Sequence, residues 1–308
     1  MGKVVEISEI SKTYGDVQAL QNVSFQVDES ELFGLIGPDG AGKTTLFRII
    51  TTLLKPDSGT ATVLDLNVVD DYSEIRPQLG YMPGRFSLYQ DLSVEENLTF
   101  FASVFGTSIE ENYELVEPIY KQLEPFNTRL AGALSGGMKQ KLALSCALIH
   151  KPKLLILDEP TTGVDAVSRK EFWEMLHKLK KEGITIIAST PYMDEADQCD
   201  RVALIQDGKI LKISTPSEVA QSFSAPLFGI KSKSRFRLIQ ALKEFEHTKS
   251  VHPFGESVHY ADQREHPDVD EIEKYLQSRG IENLSIRKIN AGIEDTFMEL
   301  MEKEGSHG

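Results

Sequence analysis

Apolar and polar residues alternate over positions 3–8 and 22–28, the period-two pattern of strands with one face in solvent. The segment Glu31-Leu32-Phe33-Gly34-Leu35-Ile36 breaks that alternation. Its continuous apolar run predicts a strand covered on both faces, feeding directly into a glycine-rich loop. A helix is expected from Thr44 to Leu54, ended by the turn cluster Lys55-Pro56-Asp57-Ser58-Gly59. Further on, Ser93 precedes an amphipathic run with Glu96 three residues later. This capping-box signature starts a helix that reaches about Phe105. A second helix is expected over 110–123, so that 86–150 reads as a helical insert. Strand and helix then alternate again: Lys153–Leu157, a helix over 166–182, and the strand Ile184–Ser189. Arg201–Leu211 forms a hairpin that turns on Asp207-Gly208.

Thr215-Pro216-Ser217 opens a short helix, and Ser222-Phe223-Ser224-Ala225-Pro226 marks a boundary. Two domains are expected, 1–222 and 223–308. The second is predicted as strand 226–232, helix 234–246, strand 248–253, strand 256–262, helix 268–279 and strand 283–289, closed by a helix over 293–303. That β-α-β-β-α-β order predicts a small α+β domain of the ferredoxin-like kind.

Composition narrows the partners. The 308 residues are 40% hydrophobic and 26% charged, as in an ordinary globular chain. A net charge of −14 opposes a primary role in gripping nucleic acid, and no nucleic-acid partner is expected. The two cysteines, Cys146 and Cys199, make no disulfide framework and point to a reducing cytosol, with Cys146 packing as a small hydrophobe. The N-terminal residues carry no signal-peptide core and the apolar runs are strand-sized, so any action on a membrane is expected to go through a partner. His247, His252, His259 and His266 are scattered, and their spacing predicts no convergent set with carboxylates.

Two glycine turns carry the chemistry. In Gly37-Pro38-Asp39-Gly40-Ala41-Gly42-Lys43-Thr44-Thr45, successive backbone N–H groups at a helix N-terminus form a phosphate cradle. Lys43 would neutralise the β- and γ-phosphates, Thr44 would offer its hydroxyl to Mg²⁺, and the Thr45 N–H would reach the α-phosphate. Asp39 would turn its side chain to solvent while its backbone binds. At the end of an apolar strand, Asp158 would hold a Mg²⁺-bound water and Glu159 would orient and deprotonate the attacking water. The second turn, Ser135-Gly136-Gly137, opens another helix about twenty residues earlier and forms a second anion site. One chain needs only one γ-phosphate site, so the second is expected to serve a nucleotide held by a partner.

Residues 3 to about 220 resemble the nucleotide-binding subunits of ATP-binding cassette (ABC) transporters. Gly37–Thr45 resemble the Walker A segment, Leu134–Gln140 the signature motif, Leu154–Pro160 Walker B, and Gly163-Val164-Asp165 the D-loop. The resemblance implies a P-loop NTPase core with an antiparallel β subdomain and a helical insert, binding ATP and Mg²⁺. It places Tyr14 where an aromatic ring stacks on adenine. The tail Gly292–Met298 is similar to that of ABC-2-type export ATPases. The implied partners are therefore membrane permease subunits and a second ABC ATPase domain, the same or different. The implied place is peripheral, on the cytoplasmic face of the plasma (inner) membrane.

Two positions depart from the family pattern: Gly84 stands where Gln is usual and Pro191 where His is usual. Neither can donate a side-chain hydrogen bond, and losing one such contact to a developing charge slows catalysis by roughly 10²–10³. The chain is therefore expected to be an exporter ATPase whose own site binds ATP but hydrolyses it weakly. Phe86 and Tyr89 are candidate anchors for the permease. The alternatives are a soluble cassette protein acting on the ribosome or nucleic acid, or a regulatory ATP-binding pseudo-ATPase.

Overall fold

A computed structural model describes residues 2–305, which divide into two compact units, 2–216 and 217–305. In chain order the first unit contains β1 (Lys3–Tyr14), β2 (Val17–Asp28), β3 (Leu32–Ile36), α1 (Lys43–Ile50), β4 (Ser58–Val63), β5 (Leu66–Asn67), α2 (Tyr72–Ile75) and β6 (Leu79–Met82). The helices α3 (Val94–Val104), α4 (Tyr113–Tyr120) and α5 (Gly136–Leu148) follow. Then come β7 (Leu154–Asp158), α6 (Ala166–Lys181), β8 (Thr185–Thr190), β9 (Arg201–Gln206) and β10 (Lys209–Ser214).

Two sheets result. One is antiparallel, in the order β2-β1-β4-β5. The other has the order β10-β9-β3-β8-β7-β6 and is parallel except for the edge strand β10. Every residue of β3, β7 and β8 is buried, as expected where helices cover both faces of a parallel sheet. Between the sheets, α1 inserts Leu46, Phe47, Ile49 and Ile50, all fully buried. Burying each such side chain contributes about 1.5–3 kcal/mol, which anchors the helix that follows the glycine loop.

The first two strands are longer than the alternation predicts. Glu9 and Asn22 take positive φ (53° and 50°), and the β1–β2 register shifts between Ile7 and Ile10. A bulge adds a residue and resets the period, which hides the second half of β1 and the first half of β2 from a period-two reading. The expected helix over 110–123 is a 3-10 turn at Glu110–Asn112 followed by the shorter α4. The elements β4, β5, α2 and β6 are additions. β4 reads Ser-Gly-Thr-Ala-Thr-Val and is mostly exposed at its start, so it lacks an apolar signature, and it takes over Ser58 and Gly59 from the expected turn.

The second unit contains the end of α7 (Pro216–Gln221), then β11 (Leu227–Lys231), α8 (Arg235–Lys243), β12 (Thr248–Phe254), β13 (Ser257–Asp262), α9 (Val269–Ser278), β14 (Ser285–Ile289) and α10 (Ile293–Gly305). Its antiparallel sheet, β12-β13-β11-β14, puts the first and third strands in the centre, the ferredoxin-like arrangement. The unit begins earlier than the composition break at 222 suggests. Val219 of α7 is buried and its carbonyl accepts from Thr296 Oγ1 at 3.0 Å, which ties the short helix to this unit. Three of the four histidines face carboxylates, each at a different place. His259 Nδ1 lies 2.7 Å from Asp295, His252 Nε2 lies 3.3 Å from Glu302, and His247 sits beside Glu246 and Glu271. Most of these carboxylates come from α9 and α10, too far along the chain for spacing to reveal.

Buried Asp262 accepts from Tyr260 Oη at 2.7 Å and from the Arg264 guanidinium at 2.9 and 3.0 Å. Burial raises its pKa, but the hydrogen bonds from Arg264 and Tyr260 outweigh it, and the pKa lies below the ordinary value. A depressed folded-state pKa gives stability that is complete above the unfolded value of about 3.9 and is lost as pH falls through the folded value. The second unit should therefore melt at lower temperature as pH drops below about 4. Asp262→Asn should cost about 3 kcal/mol at neutral pH and flatten that acid dependence, both read by denaturant and thermal unfolding.

Candidate nucleotide-binding site

The loop between β3 and α1 is shaped by close approach. A Cβ on Gly37 would lie 2.1 Å from the Ile205 carbonyl oxygen, and Gly42 holds φ +103° at the N-cap of α1. The first turn of α1 carries no acidic residue, so its positive end stays uncompensated. Lys43 is 3% exposed; its Nζ donates to the carbonyls of Gly37 and Pro38 at 2.8 and 2.9 Å and pairs with Glu159 at 3.1 Å. A buried ammonium curled back on its own loop is one that an anion in the loop would engage. Asp39 is exposed.

The carboxylates come from the end of β7. Asp158 is 2% exposed and both its oxygens are engaged: Thr44 Oγ1 donates to Oδ2 at 2.8 Å and Ser189 Oγ to Oδ1 at 2.7 Å. Glu159 holds φ +50°, a strained conformation for a residue with a side chain. Its N–H donates to both the carbonyl and the hydroxyl of Ser189, at 3.2 and 3.0 Å. Ser189 thus fixes the carboxylate of one residue and the backbone of the next. The sequence offered only a hydroxyl at the end of an apolar strand. The parallel register that sets Asp158 opposite Ser189 was the missing information.

Tyr14, Asp39, Gly40, Gly42, Lys43, Thr44, Thr45 and Glu159 line one cavity of about 370 Å³. Tyr14 is 44% exposed at its rim, the exposure a stacking ring requires. Ser135, Gly136 and Gly137 do not line it. Ser135 caps α5, its hydroxyl accepting from the Met138 N–H at 3.4 Å, and a Cβ on Gly136 would lie 3.1 Å from the Gly163 carbonyl. The two glycine turns are therefore separate places within one chain. The hydroxyl of Thr44 beside the carboxylate of Asp158 is a hard-oxygen donor pair suited to Mg²⁺, and the cradle suits a triphosphate.

A second cleft, about 480 Å³, is lined by Thr44, Arg48, Tyr81, Pro83, Gly84, Arg85, Asp158 and Glu159. A Cβ on Gly84 would lie 3.1 Å from the Asp158 carbonyl, so position 84 borders the carboxylates while offering them no side chain. Tyr81 is held near 12 in pKa, raised by burial and by the Asp158 charge against the pull of Arg48. Tyr81 and Pro83 also wall a separate apolar cavity of about 240 Å³, lined by Phe86, Leu88, Phe101, Phe105 and His150. Phe86 lines that cavity, whereas Tyr89 is 50% exposed and stands edge-on to Phe100 outside its lining.

The loop after β8 carries Pro191 and is fixed by a buried carboxylate. Glu195 accepts from Thr190 Oγ1 at 2.6 Å and from Thr161 Oγ1 at 2.7 Å, with Arg169 3.8 Å away. The segments following Glu159 and preceding Pro191 are joined through it. The sequence does not reveal this knot because Thr161 lies 34 residues from Glu195 along the chain.

Residues 20–162 match the ABC transporter family. The chain is 38% identical over 311 residues to the probable multidrug ABC transporter ATP-binding protein YbhF of Escherichia coli, covering 98% of this chain and 53% of that protein. The chain thus spans about half the length of that relative. It is 33% identical over 305 residues to the Nod factor export ATP-binding protein I of Mesorhizobium japonicum, covering 97% of this chain and 87% of that one. Among solved structures, an ATP-binding subunit of an ABC transporter superposes with a TM-score of 0.65 at 30% identity, over 71% of this chain and 93% of that one. A dimeric cassette, MJ0796, in a post-hydrolysis state with ADP and phosphate, superposes with a TM-score of 0.62 at 27% identity, over 68% and 98%. With the phosphate cradle, the paired carboxylates and the second glycine turn in place, this chain belongs to the ATP-binding subunits of ABC transporters.

Proposed function

We propose that this chain is the ATP-binding subunit of an ABC-2-type exporter, in which ATP draws two cassettes together and the closure drives a separate membrane permease. The observation that carries this reading is that the Ser135-Gly136-Gly137 turn lies outside the cavity holding Lys43 and Glu159. Its anion-binding N–H groups then serve a nucleotide on a second cassette. The apolar cavity beside Phe86, Phe101 and Phe105 supports the permease contact, and its shared wall of Tyr81 and Pro83 with the Gly84 cleft supports coupling between them. No helix among the described residues is long and apolar enough to cross a membrane, in keeping with peripheral attachment through a partner.

The geometry supports the following roles. ATP binds with its phosphates in the loop from Gly37 to Thr45 and its base on Tyr14. Lys43 exchanges its loop carbonyls and Glu159 for phosphate oxygens, which frees Glu159 to take the proton from the attacking water. Thr44 and Asp158 would hold Mg²⁺, which when bound neutralises charge on the phosphates. Glu159 remains the catalytic base, but neither Gly84 nor Pro191 adds a donor toward the reacting phosphate. This site therefore binds ATP and hydrolyses it slowly, while the chain's intact second turn completes a faster site on a different cassette.

Steady-state ATPase of the purified chain alone should be about 10²-fold slower than that of the complex with its partner cassette. Fast turnover by the isolated chain that Glu159→Gln abolishes would contradict the asymmetric reading, and ATP binding without hydrolysis in any complex would select the pseudo-ATPase. Ser189→Ala should weaken Mg²⁺-dependent ATP binding about tenfold, since removing a residue that orients a metal ligand typically costs 10–100-fold. Metal-free ATP binding, held by the backbone cradle, should stay within about twofold, both by titration calorimetry.

A further inference from the structure

The segment Lys231-Ser232-Lys233-Ser234-Arg235-Phe236-Arg237 joins β11 to α8 and carries four cations and no acid, in a chain of net charge −14. Residues 233–237 are all exposed, and Phe236 is 74% exposed, more than any other large hydrophobic side chain among the described residues. Folding gives no reason for either feature. The core face of α8 is supplied by Leu238, Ala241 and Leu242, all buried, and Phe236 is not part of it. Arg235 and Arg237 lie in the first turn of α8, where like-signed helix-end charge opposes them, and no acidic residue in that turn relieves it. The segment is nonetheless held in place. Arg235 donates to the Gly255 carbonyl at 2.5 Å and Lys231 pairs with Glu256 at 3.1 Å, fastening it to the turn between β12 and β13.

We propose that this segment docks the second unit on an anionic lipid surface. Lys233, Arg235 and Arg237 would lie among the headgroups, and Phe236 would enter the boundary with the acyl chains. A single ring flanked by cations is the arrangement that peripheral membrane contacts use. Single-stranded nucleic acid would instead need successive rings along a groove. Phe254, the aromatic ring at the end of β12 beside that turn, is taken up by stacking on His259 at 4.0 Å. The local charge also wins over the chain's overall charge at short range, because the repulsion from distant acids is screened within about 8–10 Å at physiological salt. This docking does not depend on the permease or on ATP.

The test is co-sedimentation of the full chain with vesicles of phosphatidylcholine alone and with one part in three phosphatidylglycerol, at low and high salt, alongside a single-stranded oligonucleotide. The chain should bind the anionic vesicles and not the neutral ones, and high salt should release it. Lys233→Glu/Arg237→Glu should lose binding about tenfold or more and Phe236→Ala severalfold, with melting temperatures that do not fall, since all three side chains are exposed and an acid is favoured at that helix end. Absence of binding to anionic vesicles, equal binding by the charge-reversed variant, or patch-dependent binding to the oligonucleotide alone would overturn the proposal.

Discussion

The buried carboxylate of Asp158 is the junction on which the nucleotide site depends. It sits at the end of a fully buried strand, and its two oxygens accept hydroxyls from α1 and from β8. An isolated carboxylate in that position would be costly, and these two short hydrogen bonds are what make its burial tolerable. The same hydroxyl of Ser189 holds the strained backbone of Glu159. The helix that carries the phosphate loop, the strand that carries the acidic pair and the strand that leads to Pro191 are thus locked at one point. Any change in one of them moves the geometry of the others.

From that junction two features of the protein make joint sense. A site with a complete cradle, buried Lys43 and paired carboxylates is built to hold a triphosphate. The same site has bare backbone at Gly84, beside Asp158, and Pro191 in the loop that Glu195 ties down. Binding rests on backbone donors and charge, whereas rate rests on side chains poised at the reacting atoms. The reading proposed for this protein separates the two: its own nucleotide acts chiefly as an adhesive, and its second glycine turn contributes to chemistry elsewhere.

Much of this was legible in the sequence because local physics writes it there. The glycine loop between a buried strand and a helix, the Ser93–Glu96 capping box, and the strand ending in Asp158-Glu159 are all short-range patterns, and the structure forms each of them. The ferredoxin-like order of the second unit was legible for the same reason, from alternating periods of two and 3.6. What escaped depends on contacts between distant segments. The bulge at Glu9 broke the period of β1, the polar strand β4 carried no apolar signal, and the carboxylate partners of His252 and His259 lie on α10, far along the chain. Ser189 and Glu195 escaped likewise, since a hydroxyl or a carboxylate acquires its role only when the sheet register brings its partner alongside.

The central claim is that a triphosphate joins this chain to another cassette through the Ser135 turn. Its most direct test is light scattering of the Glu159→Gln protein, alone and mixed with its partner cassette, with ATP and with ADP. The account predicts an ATP-dependent doubling of mass that ADP does not support and that Ser135→Arg prevents without loss of ATP binding. A mass that stays the same with ATP in every mixture would contradict it.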